Sequence, residues 1–250
     1  WIAAIHETLI EQTPTNKSDN YDCYILHMAE MKDRVQSLTR NIKNLELAVY
    51  KSEGKDPRHI YYLAKAYFDL GTEDYLNKAI PLIEQYLLGE HKSGWPEERA
   101  QAWEYLGEIY RKKQNFNNAV KAGVNALIEA PQTNSIFLNL ATTYMVKGDW
   151  ERALFWAKLS TAVVDKKSTL IRNPRDTKSR LLEIIYQCCL RLGQVDEAWA
   201  ASQKLREIFP NEAYVENNFA FIDNIRTQRD LTVKFVDLAN YLKKTREIEK

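Results

Sequence analysis

The sequence predicts an all-α fold built of stacked helical hairpins, and three observations predict it. Trp103, Leu106, Gly107, Tyr110, Ala119, Ala126 and Pro131 form a spaced pattern; Phe137, Leu140, Ala141, Tyr144 and Ala153 repeat its first five positions 34 residues on, and Ala157 continues that register. The chain of 250 residues is 45% hydrophobic and 28% charged yet holds only 8 Gly and 7 Pro, a composition that favours ordered helix. The recurring slots also divide by size. Gly107, Ala119, Ala141, Ala153 and Ala198 are small enough to let helices approach, while Trp103, Tyr110, Phe137 and Tyr144 are large enough to fill the space between them.

The elements follow in chain order. Residues 1–10 and 21–27 are short apolar runs, split by a polar stretch at 11–20 that contains Pro14, and residues 22–27 read as a strand. Residues 1–30 are therefore expected to be a short strand-containing segment, the edge of a different α/β domain. The start at Trp1 rather than Met reads as processing or as a fragment. Helical periodicity begins near Met31, runs through Leu38, Ile42, Leu45, Leu47 and Val49, and stops at Gly54 and Asp56-Pro57, which makes residues 31–56 a linking helix.

Residues 57–212 hold about four repeats. The spacing W-x2-L-G-x2-Y, then a small residue, then a closing Pro, is that of a tetratricopeptide repeat (TPR), whose hairpins bury their apolar faces only by stacking into a superhelical solenoid. Ile60, Leu63, Ala64, Tyr67, Gly71 and Ala79 mark the first unit, with about three extra residues expected in its turn at 71–76. The second spans 100–133. The third spans 134–167, with Gly148 as helix C-cap and Asp149 as the next N-cap. Residues 168–178, with Asn173 and Pro174, read as a loop. A degenerate fourth unit then starts at Ser179 with Leu182, Ile185, Gly193, Ala198 and Pro210; here Cys189 takes the Tyr slot and Tyr186 the small-residue slot. Residues 213–250 are expected to be capping helices, ending in a solvated charged terminus at 243–250.

Composition excludes several classes of function. With 35 basic and 34 acidic residues and no basic block, a nucleic-acid footprint is not expected. No apolar run reaches the length of a membrane span, and the first residues lack the pattern of a signal peptide. Three cysteines argue against a disulfide framework and for a cytoplasmic protein. Cys188 and Cys189 read as small core residues. There is no Gly-rich phosphate loop and no Gly-x-Ser-x-Gly elbow, so this chain alone is not expected to be catalytic. His59 and His91 read as solvated turn residues.

In such a stack the first helix of each pair lines the binding groove. Its outward positions are Arg58, Tyr61, Lys65 and Phe68; then Gln101, Glu104, Glu108 and Arg111; then Ser135, Leu138, Thr142 and Met145; then Arg180, Glu183, Gln187 and Leu190. Each reads either as partner-binding surface or as ordinary solvated surface. The mixture is neither a basic clamp nor a broad apolar trough, and Glu104 and Glu183 stand where a clamp for a C-terminal carboxylate would need Lys.

Trp1, Ile5, His6 and Glu7, then Ile25-Leu26-His27, then Arg40-Asn41 leading a helix, resemble in their order the C-terminal edge of bacterial family 2 glycosyltransferases that carry TPRs behind the catalytic domain. Asp56-Pro57-Arg58, Tyr61-Tyr62-Leu63-Ala64, and Trp95-Pro96-Glu97-Glu98-Arg99-Ala100 with Trp103 are similar to the repeat region of the same proteins. The resemblance implies a GT-A catalytic domain ahead of Trp1, holding an Asp-x-Asp motif, a carboxylate base, a divalent metal (Mn or Mg) and a nucleotide sugar; no cofactor is expected in this chain. It further implies that His6 and His27 could stand near the metal and diphosphate, and that Glu7 could orient an acceptor hydroxyl or act as base. The alternative is that His6 and Glu7 merely close the edge of the sheet and that His27 sits in a strand with its ring satisfied. Two functions stay open: a C-terminal module that positions a protein or glycan acceptor or mediates self-association for a glycosyltransferase, and a stand-alone scaffold that holds a peptide segment of a partner protein.

Overall fold

The computed structural model describes residues 31–89, 94–163 and 174–248. The expected strand at 22–27 lies outside the described residues, together with His6, Glu7, Cys23, His27 and His91. Among the described residues there are ten helices and no strand. They fall into two compact units, Trp1–Ile109 and Tyr110–Lys250.

The first unit contains α1 (Met31–Lys51), α2 (Pro57–Leu70), α3 (Glu73–Leu88) and α4 (Pro96–Lys112) up to its last turn. The Asp56 carboxylate starts α2 by accepting from the backbone N–H of Arg58 at 2.9 Å and of His59 at 3.4 Å, with Pro57 at the position where a missing N–H costs nothing. Gly71 ends α2 in the left-handed region at φ 73°. The turn to α3 is only Gly71 and Thr72, so the three extra residues expected here are absent. Glu73 and Asp74 instead form the first turn of α3, where acidic side chains suit the helix dipole. The added length lies between α3 and α4.

Ile42, Leu45, Ile60, Leu63, Tyr67, Ile83, Leu106 and Ile109 are buried. Polar groups are buried too. The Tyr86 hydroxyl donates to Glu98 Oε1 at 2.5 Å, and the Arg99 guanidinium donates to the Leu87 carbonyl at 3.0 Å. Gly94, at φ 81°, passes so close that a Cβ there would stand 1.8 Å from the Tyr86 hydroxyl oxygen. Burial pushes the Glu98 carboxyl above its ordinary pKa, against the lowering pull of the Tyr86 hydroxyl and the Arg58 charge.

The second unit contains α5 (Phe116–Glu129), α6 (Asn134–Lys147), α7 (Trp150–Ala162), α8 (Pro174–Arg191), α9 (Val195–Ile208) and α10 (Ala213–Ile248). α6 pairs with α7 and α8 with α9; α5 packs on α6, α7 and α6 pack on α8, and α10 packs on α9. Gly148, left-handed at φ 84°, ends α6, and the Asp149 carboxylate accepts from the Arg152 N–H at 3.1 Å to start α7, as the sequence predicts. The small slots Ala119, Ala141, Ala153 and Ala198 are buried. Gly123 is a further small residue of this kind: a Cβ on it would meet Leu140 Cδ2 at 2.5 Å. Cys188 and Cys189 are free, buried core residues, and burial pushes both thiols up to about 11. Tyr186, in the slot usually held by a small residue, is buried and sends its hydroxyl to the Asn218 carbonyl at 3.3 Å.

Two further expectations are corrected. Residues 174–178, read as loop, are the first turns of α8; Pro174 opens the helix, since the first helical position needs no N–H. The region after 212 is one 36-residue helix over its described length, not several. Among the described residues no helix is long and apolar enough to cross a membrane.

Two outcomes follow for stability. Gly123→Val forces the α5 backbone away from Leu140 and is expected to cost about 1–3 kcal/mol, whereas Gly148→Ala, with open space around it, is expected to lose only the left-handed penalty of about 1–2 kcal/mol; urea unfolding of the two variants checks the ranking. A raised carboxyl pKa in the folded state means that the folded chain binds this proton more tightly than the unfolded one. The stability Glu98 supplies is therefore present at low pH and lost as pH rises through its folded pKa. Glu98→Gln, which still accepts from Tyr86, is expected to be more stable than the parent near neutral pH and to lose that advantage in acid. Melts at both pH values check the sign.

Candidate partner-binding face

The residues expected to line a groove lie on the first helices of the hairpins, and burial sorts them. In the first unit Arg58 is exposed and its guanidinium lies over the Tyr62 ring at 5.5 Å. Lys65 Nζ pairs with Asp69 one turn on at 2.5 Å. Phe68 packs on the Tyr105 ring at 4.4 Å between centroids. Tyr61 is buried rather than open to a partner. Its hydroxyl donates to Gln101 Oε1 at 2.6 Å, and its ring lies 5.2 Å from that of Tyr86. Burial, followed by the charge of Glu98, pushes its phenol well above the ordinary tyrosine range. Glu104 is buried as well, and Glu108 is half-exposed.

In the second unit the Arg111 guanidinium, on the last turn of α4, donates to Asn139 Oδ1 at 3.3 Å. Leu138 belongs to the core. The Thr142 hydroxyl donates back to the Leu138 carbonyl at 2.7 Å, and Met145 and Leu190 are partly buried against the same core. On α8, Arg180 and Gln187 are exposed, and the half-buried Glu183 accepts from the Tyr214 hydroxyl at 3.3 Å.

The fifth position of the first helix is thus buried in three repeats, at Tyr61, Glu104 and Leu138, because that side chain turns toward a neighbouring helix instead of outward. A partner reaching these faces meets a different set. In the second unit it is Arg180 and Gln187, with the partly exposed Ser135, Thr142, Met145 and Glu183. Gln187 can donate and accept, Arg180 can hold a carboxylate or carbonyl, and Met145 offers an adaptable apolar contact. That set suits the main chain of an extended segment better than a single charged end group. The argument against a carboxylate clamp now rests on Glu183 alone, since Glu104 is not at the surface. Sequence reasoning missed Tyr86 and Glu98. The signal was there: Glu98 shares a helix face with Ala102, Leu106 and Ile109, all buried, so it stands where an apolar residue belongs.

Among the described residues no group of three or more His, Cys, Asp or Glu could hold a metal ion. No protein-family model matches the sequence, and no curated protein matches it. Solved structures do. The chain is similar to MamA, at 18% identity and a TM-score of 0.56 over 73% of this chain and 96% of that one. It is also similar to YrrB, described as a TPR protein with an unusual peptide-binding site, at 16% identity and a TM-score of 0.55 over 77% of this chain and 89% of that one. At these identities the likeness is one of fold, and the fold is that of the TPR proteins.

Proposed function

We propose that the chain is a protein-interaction module whose first-helix faces hold an extended segment of a partner protein. The observation that carries this reading is the row on α6 and α8, two first helices packed against each other. There Arg180 and Gln187 are exposed beside the partly exposed Ser135, Thr142 and Met145. Side chains of this kind recognise main chain and mixed side chains together, and repeat stacks offer them at regular intervals. The fold that the chain shares with YrrB, itself described as having a peptide-binding site, supports the reading.

The finer reading makes this module the C-terminal part of a family 2 glycosyltransferase, with Glu7, His6 and His27 bordering the catalytic site and the groove positioning an acceptor. It rests on the sequence resemblance alone. The three residues lie outside the described ones, and none of the comparisons supports it.

Peptides selected from a random library on the immobilised chain, with affinities then read by fluorescence polarisation, test the module. Replacing Arg180 and Gln187 by Ala is expected to weaken the selected peptides about tenfold or more, while Phe235→Glu, far along α10, leaves them unchanged. Selected peptides that are indifferent to Arg180 and Gln187 would remove these faces as the site. For the finer reading, the protein as its native source makes it should melt higher with Mn and nucleotide sugars together than with either alone; an unchanged melt removes the transferase association.

A further inference from the structure

The two halves of α10 lie in different surroundings. Its first half rests on α9. Val215 and Ile222 are buried, Trp199 Nε1 donates to Asp223 Oδ1 at 2.9 Å, and the Arg226 guanidinium lies over the Trp199 ring at 4.3 Å. Arg226 and Arg229 both reach the Asp196 carboxylate on the first turn of α9, at 3.2 and 2.9 Å, and the Arg229 hydrogen bonds hold that carboxyl below its ordinary pKa. Past this clamp every described side chain from 230 to 244 is exposed. The first half also meets α8, through the Tyr186–Asn218 and Tyr214–Glu183 hydrogen bonds and through Val215 against Leu182.

The exposed half carries an apolar stripe: Leu231 is 59% exposed, Phe235 78%, Leu238 54% and Leu242 52%. Steps of four, three and four residues keep these side chains on one face, the spacing of a two-stranded coiled-coil seam. The clamp fixes the root of the projecting segment, but its own propensity does not sustain it. It is about 27 Å long, near the length at which an isolated helix is marginal in water. It also contains the β-branched Thr232, Val233 and Val236, which lose rotamer freedom in a helix. A helix of this kind is stabilised by covering the stripe.

We propose that the cover is the same stripe of a second copy of this chain, laid end for end. The spacing reads alike in both directions. Turned about a two-fold axis, Leu231 meets Leu242 of the second copy and Phe235 meets its Leu238, giving four layers with no polar side chain in the seam. The root selects the orientation. Each projecting segment leaves its own folded unit at the clamp of Arg226 and Arg229 on Asp196. End-for-end pairing sets the two units at opposite ends of the seam, whereas a parallel pair would crowd them at the same end. The area also fits: two stripes and their flanks bury on the order of 1,000 Å² in total, the lower edge of specific interfaces and the range of micromolar, concentration-dependent dimers. The surface is separate from the α6–α8 face, so it stands or falls independently of peptide binding.

Light scattering behind size exclusion tests it. At about 200 µM the chain is expected at about twice its 29.2 kDa, relaxing toward the single-chain mass on dilution. Phe235→Glu or Leu238→Glu is expected to hold it at the single-chain mass throughout, with an unchanged circular dichroism melt in dilute solution, because both side chains are exposed in one copy. Orientation is read by mild oxidation. Chains carrying Leu231→Cys link to chains carrying Leu242→Cys, while Leu231→Cys alone does not self-link, since its two copies lie about 16 Å apart along the seam. A single-chain mass at the highest concentration, a dimer indifferent to both glutamates, or self-linking of Leu231→Cys overturns the proposal.

Discussion

The constraint on which the second unit depends is the distance between helix backbones at alanine and glycine. α5 can lie against α6 only because Gly123 leaves the Leu140 side chain room, and the buried Ala141, Ala153 and Ala198 occupy the matching small slots on neighbouring helices. Large residues then fill what the close approach leaves between the pairs. Phe137 and Trp156 face each other at 6.3 Å, and Trp150 and Met145 pack against the same core. Cavities and overpacking both cost stability, so neither the small nor the large set can drift in size without the other.

Much of this was readable in the sequence because it is local. The hairpin of α6 and α7 announces itself through Gly148 and Asp149, residues whose backbone preferences act within a few positions. Pro174 shows the limit of such punctuation. The same residue that breaks a helix interior opens one at its first position, and only the structure tells which. The groove was less readable. Helical period gives the direction of Tyr61, Glu104 and Leu138 around their own axes, but whether a direction points to solvent depends on a neighbouring helix that the period does not mention. The stripe on α10 was hard to read for a related reason: the charged run at 243–250 marks a solvated end, and the apolar spacing before it does not show whether a neighbouring helix covers it.

The first unit depends on a different material. Tyr86, Glu98 and Arg99 bring hydroxyl, carboxyl and guanidinium groups into the interior, and each has a partner within hydrogen-bond distance. Buried polar groups of this sort cost more to leave half-satisfied than they add when complete, so they specify one arrangement of α3 against α4 more sharply than an apolar patch would. Gly94 belongs to the same arrangement, since any larger residue would displace the tyrosine hydroxyl that the carboxyl needs.

The paired thiols in α8 have a consequence for motion. Cys188 and Cys189 are inaccessible, and at about 11 their pKa values leave little thiolate at physiological pH. A thiol reagent therefore meets them only in molecules where α8 has parted from its neighbours. Under conditions where reclosing is fast, the rate of their modification reads the fraction of molecules so parted at equilibrium; where the reagent outpaces reclosing, it counts how often the parting occurs. The degenerate slot that replaces a tyrosine with a cysteine thus places, at the centre of the second unit's core, a natural reporter of its breathing.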